Sequence, residues 1–393
     1  MKRTLYLFIA SISLLVGACQ PGDVQPDPVL IQSTAVASYS NAVLHTITST
    51  NDSLTYQPGQ YALTIQRITY RTTLEDGTPI VASGVIYLPT LPAGSAKPLP
   101  MLSYQHPTAF SESEVPSGYD YTQARFSYPL YFATHGYIVA CPDYIGYGDA
   151  KGIAHPYENR ATLAQATVNM IRATGEWLDN TGVVWNKQVF MAGFSEGGYA
   201  TLSAQELIEK QYAGELTLSG TSCGAGPYAM ATFFDYITHQ PTSSPGIVNY
   251  LYTWQTLVYN KLYNGNKPLS YYFNAPYADL ITESLENARL FTVSFDQLCT
   301  DQFRADVRNP SSAFGKALLS NDLTGWAART RTYLIHGDQD EVIPYFISQK
   351  TCDLMKLNGA SQTSLVTLKN LRHVPSEIMF MRRTIDLFEP LKK

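Results

Sequence analysis

The chain has 393 residues, of which 45% are hydrophobic and 15% charged, so it can bury a sizeable core in one large domain or in one domain with an insertion. Its net charge is −5 and it has no long run of Lys or Arg, which argues against a nucleic-acid-binding protein. Because the sequence also lacks internal repeats and long low-complexity tracts, it indicates a globular body of the size typical of enzymes.

The N-terminal residues have the features of an export signal. The positive start "MKR" precedes a 12-residue apolar run from Leu5 to Val16. That run is shorter than the roughly 20 residues that span a bilayer, but it fits the h-region of a signal peptide. The run ends in "VGAC", which resembles the bacterial lipobox. We therefore expect a signal peptide over residues 1–18, a lipid on Cys19, a proline-containing tether over residues 19–55, and a lipid-anchored location in the bacterial cell envelope, at the outer membrane. An ordinary signal peptide with a chance cysteine is the alternative.

A β-hairpin is the first predicted element of the core. Two β-favouring runs, Tyr61–Thr72 and Ile80–Leu88, flank "LEDGTP", in which Asp-Gly is a strong turn signal. Four further strands are predicted, "PMLSYQ", "YIVACPDY", "QVFMAGF" and "LTLSGTS", and helical patterns cover about Arg160 to Leu178 and the stretch that follows Tyr199. This alternation predicts an α/β fold with a mostly parallel sheet and helices on both faces, and we assign its first part to residues 56–225.

The alternation stops after the sixth predicted strand. Residues 226–327 show no clear strand pattern and are crowded with Tyr, Phe and Trp. Alternation resumes over residues 328–393, with strands "TYLIHG" and "SLVTLKN" and helices over about 344–357 and 376–387. We interpret the middle stretch as a helical lid inserted into a continuing α/β core. Its aromatic residues either build only the core of that insertion or also line a pocket.

Ser195 is the candidate nucleophile. It lies in Gly193-Phe194-Ser195-Glu196-Gly197, where a predicted strand meets a predicted helix. An exposed serine at such a junction needs a strained turn, and flanking glycines remove the Cβ atoms that would collide there. A helix that begins at the serine also directs free N–H groups toward an oxyanion.

A histidine and an acid would complete the site. His373, in "NLRHVPSE", is expected in a loop after the last predicted strand, from which its imidazole can reach back over the sheet. The acid comes from "HGDQDEVIP", which contains Asp338, Asp340 and Glu341. Asp338 suits the capping of a tight turn, and Glu341 is expected to point to the opposite side. The stretch lacks the ligand alternation of a calcium site and has no partner cluster, so we expect no metal there. Acyl transfer through these residues needs no other cofactor.

Three motifs together resemble the α/β-hydrolase superfamily, namely "GFSEGG", "HGDQDEVIP" and "LRHVP". The pattern H-G-x-x-D-x-x-[VI]-P of many members implies that the acid is Asp340, with Asp338 as the alternative. The insertion after the sixth strand is similar to that of secretory lipases and related esterases. The resemblance implies an α/β-hydrolase fold and a Ser195–His373–Asp340 triad.

The resemblance also indicates where an oxyanion would be bound. One donor is the N–H of Glu196, after the nucleophile. "SYQHPTAF" corresponds to the family's oxyanion loop, but Pro107 replaces the usual glycine and cannot donate an N–H. We therefore expect Thr108 to supply the second donor, with His106 as the alternative. The loop after the next strand contains Asp143 and Tyr144, which we interpret as structural.

The sequence as a whole predicts a secreted, lipid-anchored serine hydrolase that cleaves carboxylic esters through an acyl-enzyme. The expected partners are a small-molecule or glycan ester and the membrane, without nucleic acid, and the oligomeric state is left open. One alternative is a serine peptidase of the tripeptidyl type on the same fold. Another is a non-catalytic, lipid-anchored binding protein on a hydrolase scaffold. Four cysteines besides Cys19 lack zinc-ligand spacing and are interpreted as structural, with their pairing open: Cys141, Cys223, Cys299 and Cys352.

Overall fold

A computed structural model describes residues 27–49, 61–91, 97–119, 127–243 and 245–393. The predicted signal peptide and Cys19 lie outside these ranges. The described residues form one nine-stranded sheet, with the strands β1 (Leu30–Tyr39), β2 (Ala62–Thr73), β3 (Pro79–Thr90), β4 (Leu99–Gln105), β5 (Ile138–Pro142), β6 (Trp185–Phe194), β7 (Leu218–Gly224), β8 (Thr332–Gly337) and β9 (Thr363–Leu368).

The strand order is β1-β2-β3-β5-β4-β6-β7-β8-β9. Strands β1, β2 and β3 pair antiparallel, as do β3 and β5, while every pair from β5 to β9 is parallel. The parallel strands β4, β5 and β8 are buried along their whole length. That burial is why they appear in the sequence as continuous apolar runs rather than alternating patterns. The predicted mostly parallel sheet is confirmed.

The predicted hairpin is formed by β2 and β3. Its turn is closed by Leu74, whose N–H donates to Thr78 O at 2.9 Å and whose carbonyl accepts from Gly77 N at 3.0 Å. Gly77 has a φ of +84°, a conformation that glycine adopts without steric cost. Asp76 Oδ1 accepts from Thr78 N at 2.9 Å, so the Asp-Gly pair predicted the turn through ordinary turn chemistry.

The predicted tether over residues 19–55 is wrong for residues 30–49, which are folded. From Leu30 the chain forms β1, which pairs with β2, and α1 follows over Asn41–Ser49. The start of β1 is fixed by Glu176, whose carboxylate accepts from Val29 N at 2.9 Å and from Leu30 N at 2.7 Å. The prolines that indicated a tether end at residue 28, and the β-favouring residues after them add an edge strand.

Helices cover both faces of the sheet, as predicted. The core helices are α2 (Ser127–Thr134), α3 (Arg160–Thr181) and α4 (Glu196–Leu207), with α11 (Phe346–Leu357) and α12 (His373–Phe388) toward the C-terminus. Alternate residues of β6 separate the two faces. Phe190 and Ala192 pack in one core with residues of α2 and α12, whereas Val189 and Met191 pack in another with residues of α3. The four cysteines that follow residue 27 are buried and unbridged.

The insertion between β7 and β8 is helical. It contains α5 (Met230–His239), α6 (Ile247–Tyr263), α7 (Tyr277–Glu283), α8 (Phe295–Leu298), α9 (Asp301–Arg308) and α10 (Ala313–Ser320). It follows the seventh strand rather than the sixth because β1 was not predicted. Most of its aromatic residues build a core that is continuous with α4 and α11. In the described ranges no helix is both long and apolar enough to cross a membrane.

Candidate active site

Ser195 occupies the turn between β6 and α4. Its φ of 59° and ψ of −123° are rare for a residue with a side chain and store local strain. The turn is held because Ser195 N donates to Gly224 O on the neighbouring strand β7 at 2.8 Å. This conformation turns the hydroxyl away from both the strand and the helix, as a nucleophile requires.

Two glycines make this turn sterically possible. A Cβ on Gly193 would lie 2.3 Å from Gly197 O, and a Cβ on Gly197 would lie 2.1 Å from Gln105 O. Both contacts are with backbone atoms, which cannot move aside without disrupting the strand or the helix. The "GFSEG" spacing therefore reflects the close approach of β6, α4 and the end of β4.

His373 connects the serine to the acid. Its Nε2 lies 3.0 Å from Ser195 Oγ, and its Nδ1 lies 2.6 Å from Asp340 Oδ2. The structure thus brings together the three residues that the sequence analysis selected. His373 was expected in a loop, but it is the first residue of α12, with Arg372 as the N-cap. The side chain is buried, and its ring packs 5.1 Å from that of Phe194.

The side chain of Asp340 is fully buried, and both of its carboxylate oxygens are hydrogen-bonded. Oδ1 accepts from Val342 N at 2.9 Å and from Ile343 N at 2.8 Å. Oδ2 accepts a hydrogen bond from His336 Nε2 at 3.1 Å in addition to the one from His373 Nδ1. His336 Nε2 also faces Ile343 O at 2.9 Å, so this nitrogen carries a proton and donates it to both oxygens. The acid is therefore held in one orientation by its own loop and by His336.

These contacts determine the charge states of the pair. Burial raises the pKa of Asp340, but the neighbouring His373 and His336 outweigh burial and lower that pKa below its ordinary value. Burial lowers the pKa of His373, but the Asp340 carboxylate outweighs it and the net pKa is raised above the ordinary 6.5. The acid is thus ionised at neutral pH, and it stabilises positive charge on the imidazole.

The other two acids of the stretch have different partners. Asp338 Oδ1 accepts from Asn370 N at 2.6 Å, and its Oδ2 lies 3.3 Å from Lys369 Nζ, so it joins two turns rather than capping its own turn. Glu341 does not point to the opposite side. Its Oε2 accepts from the backbone N–H of His373 at 3.1 Å. This contact was not predicted because the sequence pattern starts the helix at about residue 376, whereas α12 begins at His373, where free N–H groups attract a carboxylate.

The proposed oxyanion donors lie around the N-terminus of α4. Glu196 is the first residue of α4, so its N–H has no acceptor one turn earlier in the helix. The end of β4 contacts this helix at Gly197, which places the following loop beside it. Thr108, in that loop, is buried, and its Oγ1 lies 3.1 Å from the hydroxyl of Tyr157. The assignment of Thr108 as the second oxyanion donor, with His106 as the alternative, stays a prediction.

Asp143 and Tyr144 support the same loop, in agreement with a structural role. Asp143 accepts from Ser83 Oγ at 2.6 Å and from Ser117 N at 2.8 Å. The Tyr144 hydroxyl donates to His106 O at 3.0 Å, and its ring packs 4.1 Å from the His106 ring. These contacts fix the loop without directing either side chain at the serine.

The side chain of Glu196 forms a buried pair that the sequence did not reveal. Its Oε1 lies 2.7 Å from His155 Nε2, and His155 Nδ1 lies 2.6 Å from Ile145 O. Within the described residues, Glu196 Oε2 has no hydrogen-bond partner. A buried carboxyl group therefore lies next to the Ser195 turn, and only one of its oxygens is paired.

A small cavity opens at Ser195. Its apolar walls are Tyr157, Phe233, Leu251, Tyr252, Val342 and Ile343. Three of these six come from the helical insertion, and Glu158 and Gln255 add polar groups. The cavity volume is only about 10 Å³, roughly the room that one water molecule needs. Across the described ranges, no group of three or more His, Cys, Asp or Glu side chains is arranged to hold a metal ion.

A family model described as secretory lipase matches residues 122–386. No protein with a curated description shows significant sequence similarity to the chain.

Several solved structures share the fold. A Legionella pneumophila protein assigned as a hydrolase superimposes with a TM-score of 0.79 at 21% identity, covering 92% of this chain and 98% of that chain. The rice cell wall degrading esterase LipA of Xanthomonas oryzae gives 0.76 at 23% identity, with 91% and 95% covered. Candida antarctica lipase A in its closed state gives 0.67 at 17% identity, with 92% and 81% covered. The sheet, its helices and these similarities confirm the predicted α/β-hydrolase fold.

Proposed function

The chain belongs to the secretory lipase family, as its motifs predicted, and we propose that it hydrolyses carboxylic esters through a Ser195–His373–Asp340 triad and an acyl-enzyme. Membership in this family makes it a lipase- or esterase-like hydrolase. The observation that carries the finer proposal is the pair of hydrogen bonds made by His373, to Ser195 Oγ at 3.0 Å and to Asp340 Oδ2 at 2.6 Å.

The first half of the reaction transfers the acyl group to the enzyme. His373 Nε2 accepts the proton of Ser195 as Oγ attacks the ester carbonyl. The resulting tetrahedral oxyanion accepts hydrogen bonds from Glu196 N and from the Thr108 loop. Each such donor contributes on the order of 3 kcal/mol to transition-state stabilisation. His373 then gives its proton to the leaving alcohol oxygen, and the acyl group stays on Ser195.

The second half of the reaction repeats these roles with water. His373 takes a proton from a water molecule that attacks the acyl carbonyl, and it returns that proton to Ser195 as the acid leaves. Asp340 keeps the Nδ1–H tautomer of His373 and stabilises the imidazolium in both halves. His336 supports this role, because it donates to Asp340 Oδ2 and holds the carboxylate in place.

The helical insertion is proposed to act as a lid. Phe233, Leu251 and Tyr252 of the insertion close the cavity at Ser195, and the remaining space admits about one water. An ester can therefore reach the serine only after part of the insertion shifts, as lids do in many hydrolases. The same insertion would then determine which esters enter.

Secretion agrees with the family, and we propose in addition that the protein is anchored to the bacterial outer membrane through lipidated Cys19. This proposal depends on the "VGAC" sequence after an apolar run, which lies outside the described residues. A lipid on Cys19 would hold the enzyme at the envelope surface, where it would meet small or polymeric esters.

A fluorophosphonate probe tests the catalytic proposal directly. Labelling is expected at one serine, and peptide mapping should identify it as Ser195. Ser195→Ala should abolish both labelling and hydrolysis of p-nitrophenyl esters, with a loss on the order of 10⁶ in kcat. The matched control is Ser203→Ala, which replaces a buried serine of α4 whose hydroxyl donates to Tyr199 O. Residual activity of Ser195→Ala within tenfold of wild type would show that another residue is the nucleophile.

A further inference from the structure

A second carboxyl group, that of Glu158, lies at the cavity beside Ser195 and has no role in the mechanism above. Glu158 lines the same cavity as the serine, and it is only 3% exposed. No described residue donates a hydrogen bond to the carboxyl group of Glu158. The backbone carbonyl of Glu158, by contrast, accepts from the Tyr259 hydroxyl at 3.0 Å. A buried acid without a hydrogen-bond partner is uncommon, because burial of an unsatisfied polar group is unfavourable.

The backbone around Glu158 fixes the direction of this side chain. Glu158 has a φ of 52°, which is uncommon for a residue with a long side chain. The next residue, Asn159, is the N-cap of α3 and accepts from Thr162 N at 2.9 Å. Tyr259 fixes the carbonyl from the insertion side. The surrounding structure therefore imposes an unfavourable conformation, and the result is a carboxyl group at the cavity.

The electrostatic surroundings favour the uncharged acid. Burial raises the pKa of Glu158 well above its ordinary value, and the nearby Glu196 carboxylate raises it further. A neutral carboxyl group carries one O–H donor and a carbonyl acceptor. It can therefore satisfy both hydrogen-bonding capacities of a hydroxyl group, whereas it offers no charge to an ammonium group.

The rest of the cavity wall suits a flat or apolar group. Tyr157 stacks on Trp254 with 4.4 Å between ring centroids and 5° between ring planes, which makes this wall rigid. Phe233 and Tyr252 add aromatic surface on the insertion side. Besides Ser195 and the tyrosine hydroxyls, the polar side chains at the cavity are those of Glu158 and Gln255. The amide of Gln255 already donates to Met230 Sδ.

We propose that Glu158 is a specificity-determining residue that selects esters with a hydroxyl group on the part that enters this cavity. The proposal rests on the ester hydrolysis proposed above. A hydroxyl would complete the hydrogen bonding of Glu158, whereas an apolar group of the same size would leave the carboxyl unpaired. Sites of this kind reject the analogue that lacks the hydrogen-bonding group.

The test compares matched esters on the wild-type enzyme and its variants. One series consists of methyl esters of phenylpropanoic acid with a para-hydroxyl, para-methyl or para-aminomethyl group on the ring. The other consists of acetates of phenylethanol with the same three groups, so that the acyl and alcohol halves are both probed. The readout is the ratio of kcat/KM between the hydroxyl and methyl esters, for wild type, Glu158→Leu and Glu158→Gln. Glu283→Leu, at an exposed acid at the end of α7, serves as the control.

We expect wild type to prefer the hydroxyl ester by about tenfold or more in one series. Glu158→Leu should remove that preference, Glu158→Gln should retain most of it because an amide also donates and accepts, and Glu283→Leu should not alter it. Equal rates for the hydroxyl and methyl esters in both series, or an unchanged ratio in Glu158→Leu, would refute the role of Glu158. Preference for the aminomethyl ester would also refute it, in favour of a charged carboxylate that binds ammonium. Absence of hydrolysis of all six esters would instead contradict the proposed function itself.

Thermal unfolding provides a second readout that does not depend on substrate. Because Glu158 is unpaired and buried, Glu158→Leu should leave the melting temperature unchanged or raise it. A large drop in melting temperature would show that the carboxyl supports the fold, and would count against a role in substrate selection.

Discussion

Glu341 accepts a hydrogen bond from the backbone N–H of His373 at 3.1 Å, while its neighbour Asp340 binds the imidazole of the same residue. One loop therefore holds both the main chain and the side chain of the histidine. The ring is fixed by Asp340 at Nδ1, and the start of α12 is fixed by Glu341. This double attachment accounts for two of the three acids within four residues, whereas Asp338 joins two turns.

The two aspartates of this loop should respond differently to amidation. Asp340→Asn should lower kcat by about 10⁴, because an amide no longer enforces the Nδ1–H tautomer or stabilises the imidazolium. Asp338→Asn should cost far less, since an amide oxygen still accepts from Asn370 N. Steady-state kinetics on a p-nitrophenyl ester measures both. If Asp338→Asn proved the more damaging change, the assignment of the acid would be wrong.

Glu341 should act as a positioning residue. Glu341→Leu removes the acceptor of His373 N, and we expect kcat to fall by about tenfold, the equivalent of one net hydrogen bond, with little change in KM. Glu341→Gln should recover most of the loss, because its amide oxygen can accept the same N–H. A parallel loss of melting temperature and kcat in both variants would indicate a structural role only.

The pH dependence of activity follows from His373. The ring must be neutral to accept the proton of Ser195, and its pKa lies above the ordinary 6.5 because the effect of Asp340 exceeds that of burial. A plot of kcat/KM against pH should therefore fall on the acid side with a midpoint above 6.5.

The free energy of unfolding should fall with rising pH over the range in which kcat/KM rises. A raised pKa in the folded state means that protonated His373 contributes stability below 6.5, and that this contribution is lost as pH rises through the folded-state pKa. Denaturant unfolding at several pH values, with His373→Gln as the comparison, measures it. If the acid-side midpoint of kcat/KM were well below 6.5, the pKa of His373 would not be raised and both predictions would be wrong.

The insertion should control acyl size through Leu251. Leu251→Ala enlarges the cavity at Ser195 and should raise the rate on longer p-nitrophenyl esters relative to the acetate. Leu257→Ala, in the same helix but outside the cavity wall, is the matched control for helix stability. An unchanged chain-length profile in Leu251→Ala would mean that this part of α6 only builds the core.

The anchor can be tested at Cys19. Cys19→Ser should release the protein from the membrane fraction, or leave it held by an uncleaved signal segment. Mass spectrometry of the native N-terminus should find a lipidated cysteine. A free, unmodified N-terminus at another residue would exclude the proposed anchor.

The three residues of the proposed triad could be selected from the sequence because each follows the end of a strand and has a local signature. The glycines around Ser195, the acidic turn after β8 and the histidine after β9 are all readable in short windows. Glu341 was misplaced because its contact depends on the first residue of α12, and helix boundaries are the least certain feature of a sequence pattern.

Glu158, Glu196 and His155 could not be recognised as a group from the sequence. Glu196 and His155 are separated by 41 positions, and their burial depends on how the insertion covers the sheet. β1 was missed for a different reason, because its mostly exposed residues give an edge strand little apolar signal.

The contact of Glu176 with Val29 and Leu30 limits the length of the tether between the enzyme and the proposed anchor. This contact fixes the chain at Val29, and ten peptide units separate Val29 from Cys19. A fully extended chain of that length spans at most about 36 Å. A lipid on Cys19 would therefore keep the β1 edge of the enzyme within roughly one protein diameter of the bilayer. With so short a tether, the enzyme would reach only esters close to its own membrane. Esters farther away would have to diffuse to it.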